Sequence, residues 1–409
     1  MRQTAYTLLI AAAAACSDQT QPAPPTGLAP RAAQTKKEPR YDVLILRSSL
    51  GGTQSRGTGI SNGGLVAGWS NLSNGTRHAA VWNGESITDL ETLGGPSSSV
   101  PWPGVNNTRM VVGISHTNDL DLLNEDWSCE AGGFIPATTP RRVCRGFAWI
   151  DGTMQELPTL GGTHGFATGV NNVGQIVGWA ETPVHDPTCN GALGTGSQVL
   201  QFRAVLWEAK RGTKTELPPY PGDSASAATA INERGQAVGI SGECDQAVGR
   251  FSARRSVMWD HGAVDTLPTL GGTSWHTPMD INERGDVVGF SNPPSPGDLA
   301  GEFLANGFFW AKGSATVERI RPLDGNTVSQ AMAINDRRQV VGVSFGGAPG
   351  LRAFLWEDGV LMNLNDLADI APNVLQSAQH INDAGQITGR VRDAATGEIF
   401  AFVATPRPH

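Results

Sequence analysis

Ile281-Asn282-Glu283-Arg284-Gly285-Asp286-Val287-Val288-Gly289 is the stretch on which the fold turns. Asn bonds its own backbone and Gly accepts a positive φ, so Asn-x-x-Gly makes a tight turn between two apolar strands. The same pattern, Ile/Val-Asn-x-x-Gly-x-Val-Val-Gly, recurs at Ile60–Gly68 (with Ser61 in the Asn place), Val105–Gly113, Val170–Gly178, Ile231–Gly239, Ile334–Gly342 and Ile381–Gly389. Seven copies make this a repeat protein, and the repeat is the first thing to read.

Two further elements travel with each copy. A small-apolar-apolar-Trp run ends at Trp82, Trp149, Trp207, Trp259, Trp310 and Trp356, with Val403 in the seventh place. A Leu-x-Thr-Leu-Gly-Gly run follows at Leu90–Gly95, Leu157–Gly162 and Leu267–Gly272, with weaker copies around Leu217, Ile320 and Leu364. Each copy therefore reads as four short strands: one ending at Ile-Asn, the Val-Val-Gly strand, the Trp strand and the Leu strand. Copies lie 45 to 65 residues apart, a period suited to a four-stranded propeller blade.

The expected fold is all-β: a seven-bladed β-propeller of four-stranded antiparallel blades over 41–409. The seventh copy ends at Phe402-Val403 without a Leu strand. Leu46–Gly52 matches that missing piece, so the N-terminal strand is expected to complete the last blade and close the ring. Closure removes the exposed sheet edge of an open stack. The Trp residues are expected to pack between neighbouring blades rather than to cage a ligand.

These motifs resemble the HAF-type bacterial extracellular repeat, named for a His-Ala-Phe run before Leu-Trp. Here it stands as His78-Ala79-Ala80-Val81-Trp82 and Arg352-Ala353-Phe354-Leu355-Trp356, and the resemblance covers Tyr41 to Val403. It implies export and repeat architecture and brings no activity with it.

The N-terminus agrees with export. Arg2, the apolar run Ala5–Ala15 and small residues before Cys16 read as a signal peptide over 1–15. Ala13-Ala14-Ala15-Cys16 resembles the lipobox of bacterial lipoproteins, although that family usually has Leu where Ala13 stands. It implies cleavage before Cys16 and acylation of its thiol, with Ser17 favouring the outer membrane; cleavage by ordinary signal peptidase with secretion is the alternative. Residues 16–40 are Pro, Ala, Gln, Thr and charge, a disordered tether reaching on the order of 25–30 Å. The only membrane contact expected is this lipid anchor, and a monomer is expected.

Composition bounds the partners. A formal charge of −8 provides no basic field for nucleic acid. Strand order puts the one-to-two and three-to-four turns on one face, where all are short. The other face carries the insertions Ser115–Arg145, Ala180–Phe202, Gly242–Arg255 and Asn292–Asn306, and loops on a rigid scaffold usually carry binding residues. Cys129, Cys144, Cys189 and Cys244 all lie there. An even number in an exported chain points to disulfides. Of the three pairings, Cys129–Cys144 with Cys189–Cys244 is favoured because each joins near neighbours. A zinc site is the alternative, without a Cys-x-x-Cys spacing to support it.

After Gly-Gly, the connections carry His164 and Phe166, Trp275 and His276, and Trp102, which are the candidate ligand contacts at the channel mouth. Asp119, Asp121, Asn124, Glu125 and Asp126 read as a solvated acidic loop, with calcium as a lesser possibility. The two Gly-x-Ser-x-Gly matches, at Gly59–Gly63 and Gly342–Gly346, lack the strand-turn-helix setting of a nucleophile elbow. No catalytic residue, metal or cofactor is assigned. The expected function is non-catalytic binding of a protein or glycan through the insertion face. The alternatives are a hydrolase or lyase acting on polysaccharide or a small ester at the channel mouth, and a structural envelope protein.

Overall fold

The computed structural model describes residues 41–125, 129–130, 133–189, 198–244, 253–295 and 303–408. The expected signal peptide, Cys16, the tether and Asp126 lie outside them. The fold is a β-propeller whose repeats are antiparallel meanders of consecutive strands, as in Gly165–Val170, Gln175–His185, Leu200–Glu208 and Thr213–Leu217.

Hydrogen bonding gathers the strands into six sheets, five of four strands and one of eight, not seven separate ones. The larger sheet holds the first repeat (51–89) and the seventh (374–406) together, because Gln54 pairs in parallel with Ile399. Strand Tyr41–Leu46 lies antiparallel on Ile399–Pro406, from Tyr41 opposite Pro406 to Leu46 opposite Ala401. Gly51 and Gly52 do not end that strand; they open the first repeat's inner strand, Gly51–Ile60.

The motif explains its own residues. Asn282 Oδ1 accepts the N–H groups of Arg284 (3.0 Å) and Asp286 (2.9 Å), which builds the turn. Gly285 has φ +82°, a conformation side chains with a Cβ resist. The Gly of Val-Val-Gly answers a different demand. A Cβ on Gly289 would stand 2.1 Å from the Thr277 carbonyl oxygen, because a bulge between Pro278 and Asp280 drives the inner strand against it.

Apolar clusters fill the spaces between successive repeats, and one more joins the seventh to the first through Leu46, Ile60, Trp82 and Ala401. The repeat tryptophans sit in these spaces as expected. Trp82 Nε1 donates to Ser48 O (3.0 Å), Trp207 Nε1 to Pro158 O (2.9 Å) and Trp259 Nε1 to Pro218 O (2.7 Å), each acceptor lying before the Trp's own repeat. Burying one indole is worth roughly 4–6 kcal/mol, an upper estimate from area.

Amide hydrogen bonds run along the inner edge. Nδ2 of Asn106, Asn171, Asn232, Asn282 and Asn335 each donates to the carbonyl of the next Asn in the repeat series, at 2.8–3.2 Å. Asn382 of the seventh repeat donates to Ser61 O of the first at 2.9 Å.

Candidate functional site

Register defines one layer near the insertion end. Each inner-strand residue there faces the residue after Val-Val-Gly: Phe166 opposite Trp179, Ala227 opposite Ile240, Thr277 opposite Phe290 and Gln330 opposite Val343. In six repeats the residue after Val-Val-Gly or its equivalent in this layer is apolar, and Trp102 packs against two clusters within it. On one side it meets Phe134, Phe166 and Trp179, with ring centroids 5.0, 5.6 and 6.2 Å away. On the other it joins Trp275 against a cluster of Met279, Phe290, Ala305 and Val328.

The five sequence candidates separate accordingly. His164, Phe166 and His276 are buried, so a ligand on the surface does not reach them. His164 Nδ1 accepts from Cys144 N–H at 3.0 Å, and His276 Nδ1 lies 2.7 Å from Ser291 Oγ. Phe166 is core, covered by Phe134 of the second repeat's insertion. Trp102 and Trp275 are half-buried. Their indole Nε1 atoms have no hydrogen-bond partner, and Trp275 holds φ +63°, uncommon for a bulky residue. The cysteines pair Cys129–Cys144 and Cys189–Cys244, with Cα–Cα distances of 5.4 and 4.9 Å. Their thiols are thus committed to disulfides rather than zinc.

The acidic loop is not solvated throughout. Asp119 is exposed, but Asp121 and Glu125 turn inward and are buried. Asp121 takes the N–H groups of Leu123 and Glu125, and Glu125 Oε1 takes those of Val199 (2.7 Å) and Leu200 (2.6 Å). Burial, and then the neighbouring Glu181, push the Glu125 carboxyl up to about 7. Asp121, Glu125 and His164 offer ligand atoms within 4.8 Å of one another; in the other such group among the described residues, His116 with Cys129 and Cys144, the cysteines are joined in a disulfide. The His164 imidazole argues against a metal in the first group. Its Nδ1 already accepts a backbone N–H, so the neutral ring keeps its proton on Nε2, facing Asp121 Oδ2 at 3.5 Å. That Nε2 stands near the carboxylate without a hydrogen bond to it, and the pair is buried.

The opposite end of the channel opens among the Ile-Asn turns as a cavity of about 150 Å³. Its rim carries Glu233, Glu283, Asp336 and Asp383 on one side and Asn62, Asn107 and Asn172 on the other. Each rim side chain accepts the backbone N–H of the preceding rim residue, and Asn62 receives that of Asp383. Burial, then the adjacent carboxylate, raises Glu283 above the usual range. Asp280 and His380 line the same cavity. Burial lifts Asp280 to about 7 and lowers His380 to about 4. His380 Nδ1 accepts Ile60 N–H at 3.1 Å, which suits the neutral ring.

Sequence reading missed one sector of the insertion-end layer. Where six repeats place Trp69, Ile114, Trp179, Ile240, Phe290 and Val343 after Val-Val-Gly or its equivalent, the seventh places Arg390. Arg390 pairs with Ser377, and Arg56 holds the inner-strand position of the first repeat opposite Trp69. Comparing the seven copies position by position would have exposed the exception.

No protein-family model and no curated protein matches this sequence. Similar solved structures include the β-propeller domain of the Trilobed protease from Pyrococcus furiosus (8% identity over 73% of this chain and 80% of that one, TM-score 0.41). TolB from Acinetobacter baumannii is 9% identical over 88% of this chain and 65% of its own, with TM-score 0.39. An oligogalacturonate lyase in complex with manganese is 10% identical over 90% and 96%, with TM-score 0.48. At these identities no activity passes from them to this chain.

Proposed function

We propose that the chain is an exported, non-catalytic, seven-bladed β-propeller that binds a protein or glycan through its insertion-bearing face, with Trp102 and Trp275 as anchors. The blade count is supported by the composition of the eight-stranded sheet. Apart from the Gln54–Ile399 pair it divides into two meanders, one of them finished by Tyr41–Leu46. Ring closure is supported by the Asn382–Ser61 and Asp383–Asn62 hydrogen bonds between the last and first repeats.

The binding reading rests on one observation above the rest: two indoles at the insertion end, Trp102 and Trp275, that stay half-buried while their N–H groups are closed off from solvent. Such a surface stacks on a flat ligand face. The non-catalytic reading is supported by the burial of two His–carboxylate pairs at that end, His164 with Asp121 and His116 with Glu130. The two disulfides favour an oxidising compartment, and the HAF-type motif and the Ala13–Cys16 lipobox-like run favour export with a lipid anchor.

Glycan-array and pull-down screens with the full chain test this reading. Trp102→Ala and Trp275→Ala are each expected to weaken the best ligand at least tenfold. Binding unchanged in both variants, or turnover of a polysaccharide or ester by the wild type, overturns it. Metabolic labelling with a fatty acid checks the anchor: label on the wild type that Cys16→Ser abolishes is the expected result.

A further inference from the structure

The joint between the seventh and first repeats carries charge where every other joint in the same layer is apolar or neutral. Arg390 stands near enough to Arg56 there for its charge to act on it, and Gln379 Oε1 accepts from Arg56 Nη2. Among the described residues no carboxylate pairs with either guanidinium. The charges near Arg56 are instead those of Arg390 and Arg77; burial first, and then these two charges, lowers its pKa to about 9. Arg77 is itself stacked over Trp69, 3.9 Å from the ring centroid, and bonded to Gly133 O at 2.8 Å.

Three donors at this joint lack acceptors. Arg56 Nε, Arg390 Nε and Ser377 Oγ are closed off from solvent and have no hydrogen-bond partner. Two like charges brought together in a region of low dielectric, with N–H groups left over, is an arrangement that costs stability unless an anion completes it. The repeat itself shows that the fold does not require it, since Val343 fills the place of Arg390 one repeat earlier.

We propose that the half-buried Arg56 and Arg390 form a carboxylate-binding site at the joint between the last and first repeats, supported by the buried Gln379, which accepts from Arg56, and Ser377. A guanidinium presents paired N–H donors that match the two oxygens of a carboxylate. The site lies in the same register layer as Trp179 and Phe290, around which Trp102 and Trp275 pack. The carboxylate comes either from an acidic saccharide on the insertion face or from a free small acid. The saccharide source rests on the glycan-binding reading above; the free acid does not.

The test is calorimetric titration of the full chain with glucuronate, acetate and glucose, alongside thermal melting in each. Glucuronate is expected to bind, with Arg390→Val or Arg56→Gln weakening it at least tenfold, and glucose is expected not to respond to either substitution. Acetate binding as tight as glucuronate, lost in the same variants, assigns the site to free acids and leaves the glycan reading without support from it. Arg390→Val without ligand is expected to melt higher than wild type, because it removes one of two neighbouring cations. If Arg390→Val does not fold, Arg56→Gln carries the titration alone. Failure of both acids to bind wild type, or binding that both variants retain, overturns the site. Loss of neutral-ligand binding in Trp102→Ala bears only on the glycan reading.

Discussion

Alanine at Asn382 tests whether the last repeat is held to the first. Asn382 is 4% exposed. Its Nδ2 donates to Ser61 O and Gln386 Oε1, both at 2.9 Å, and its Oδ1 accepts Gln386 N–H at 2.8 Å. Alanine removes all three. At about 1 kcal/mol net per hydrogen bond, the expected loss is about 3 kcal/mol, larger where a buried partner is stranded. Asn232→Ala is the reference within one sheet-to-sheet joint of the middle of the chain. That residue donates to Asn282 O (3.1 Å) and Gln236 Oε1 (3.0 Å) and accepts from Gln236 N (3.0 Å) and Arg234 N (3.1 Å), for an expected loss of about 4 kcal/mol. Urea unfolding followed by tryptophan fluorescence reads both, provided the slope with denaturant is unchanged. Ring closure predicts that the two losses agree within about 1 kcal/mol. Only the Ser61 bond crosses the joint, so an open ring leaves Asn382→Ala a cost of about 2 kcal/mol from the two Gln386 bonds; a cost of about 2 kcal/mol or less, beside a full cost for Asn232→Ala, refutes the closed ring.

Two further outcomes follow from the same physics. Removing Cys189–Cys244, which spans 55 residues, is expected to cost about 4 kcal/mol in the chain-entropy model, against about 3 for Cys129–Cys144. Denaturant titrations of Cys189→Ser/Cys244→Ser and Cys129→Ser/Cys144→Ser check the order, and a larger loss for the shorter loop contradicts it. His380 and Asp280 act on stability in opposite pH windows. The depressed His380 favours the fold above 6.5, and that contribution is lost as pH falls towards about 4. The raised Asp280 favours the fold below 3.8, and its contribution is lost as pH rises through about 7. Melting temperatures between pH 4 and 8 are therefore expected to fall less on the acid side in His380→Gln; a fall as steep as wild type rejects this role.

Much of the architecture was legible because it is local and repeated. Asn-x-x-Gly dictates a turn wherever it stands, and the tryptophans fill the spaces between repeats because each copy buries the same face. Even the cystine pairing could be read, since one pair shares an insertion and the other joins adjacent insertions. The sheet count could not, because it depends on a single parallel pair, Gln54 with Ile399, that no motif announces. The candidate site was only partly readable. Trp102 and Trp275 kept half-exposed faces, while His164 and Phe166 were covered by Asp121 and Phe134 from a different repeat.

By itself, then, the order of residues determined the period, the turns, the strands and which tryptophans would be buried. Those properties depend on neighbours a few positions away. Tertiary structure alone decided which polar groups end without partners. Aligning the seven copies singles out Arg390, but only where the first and last repeats meet does Arg56 stand beside it. Their significance comes from distance in space, where charge and hydrogen bonding act, and not from distance along the chain.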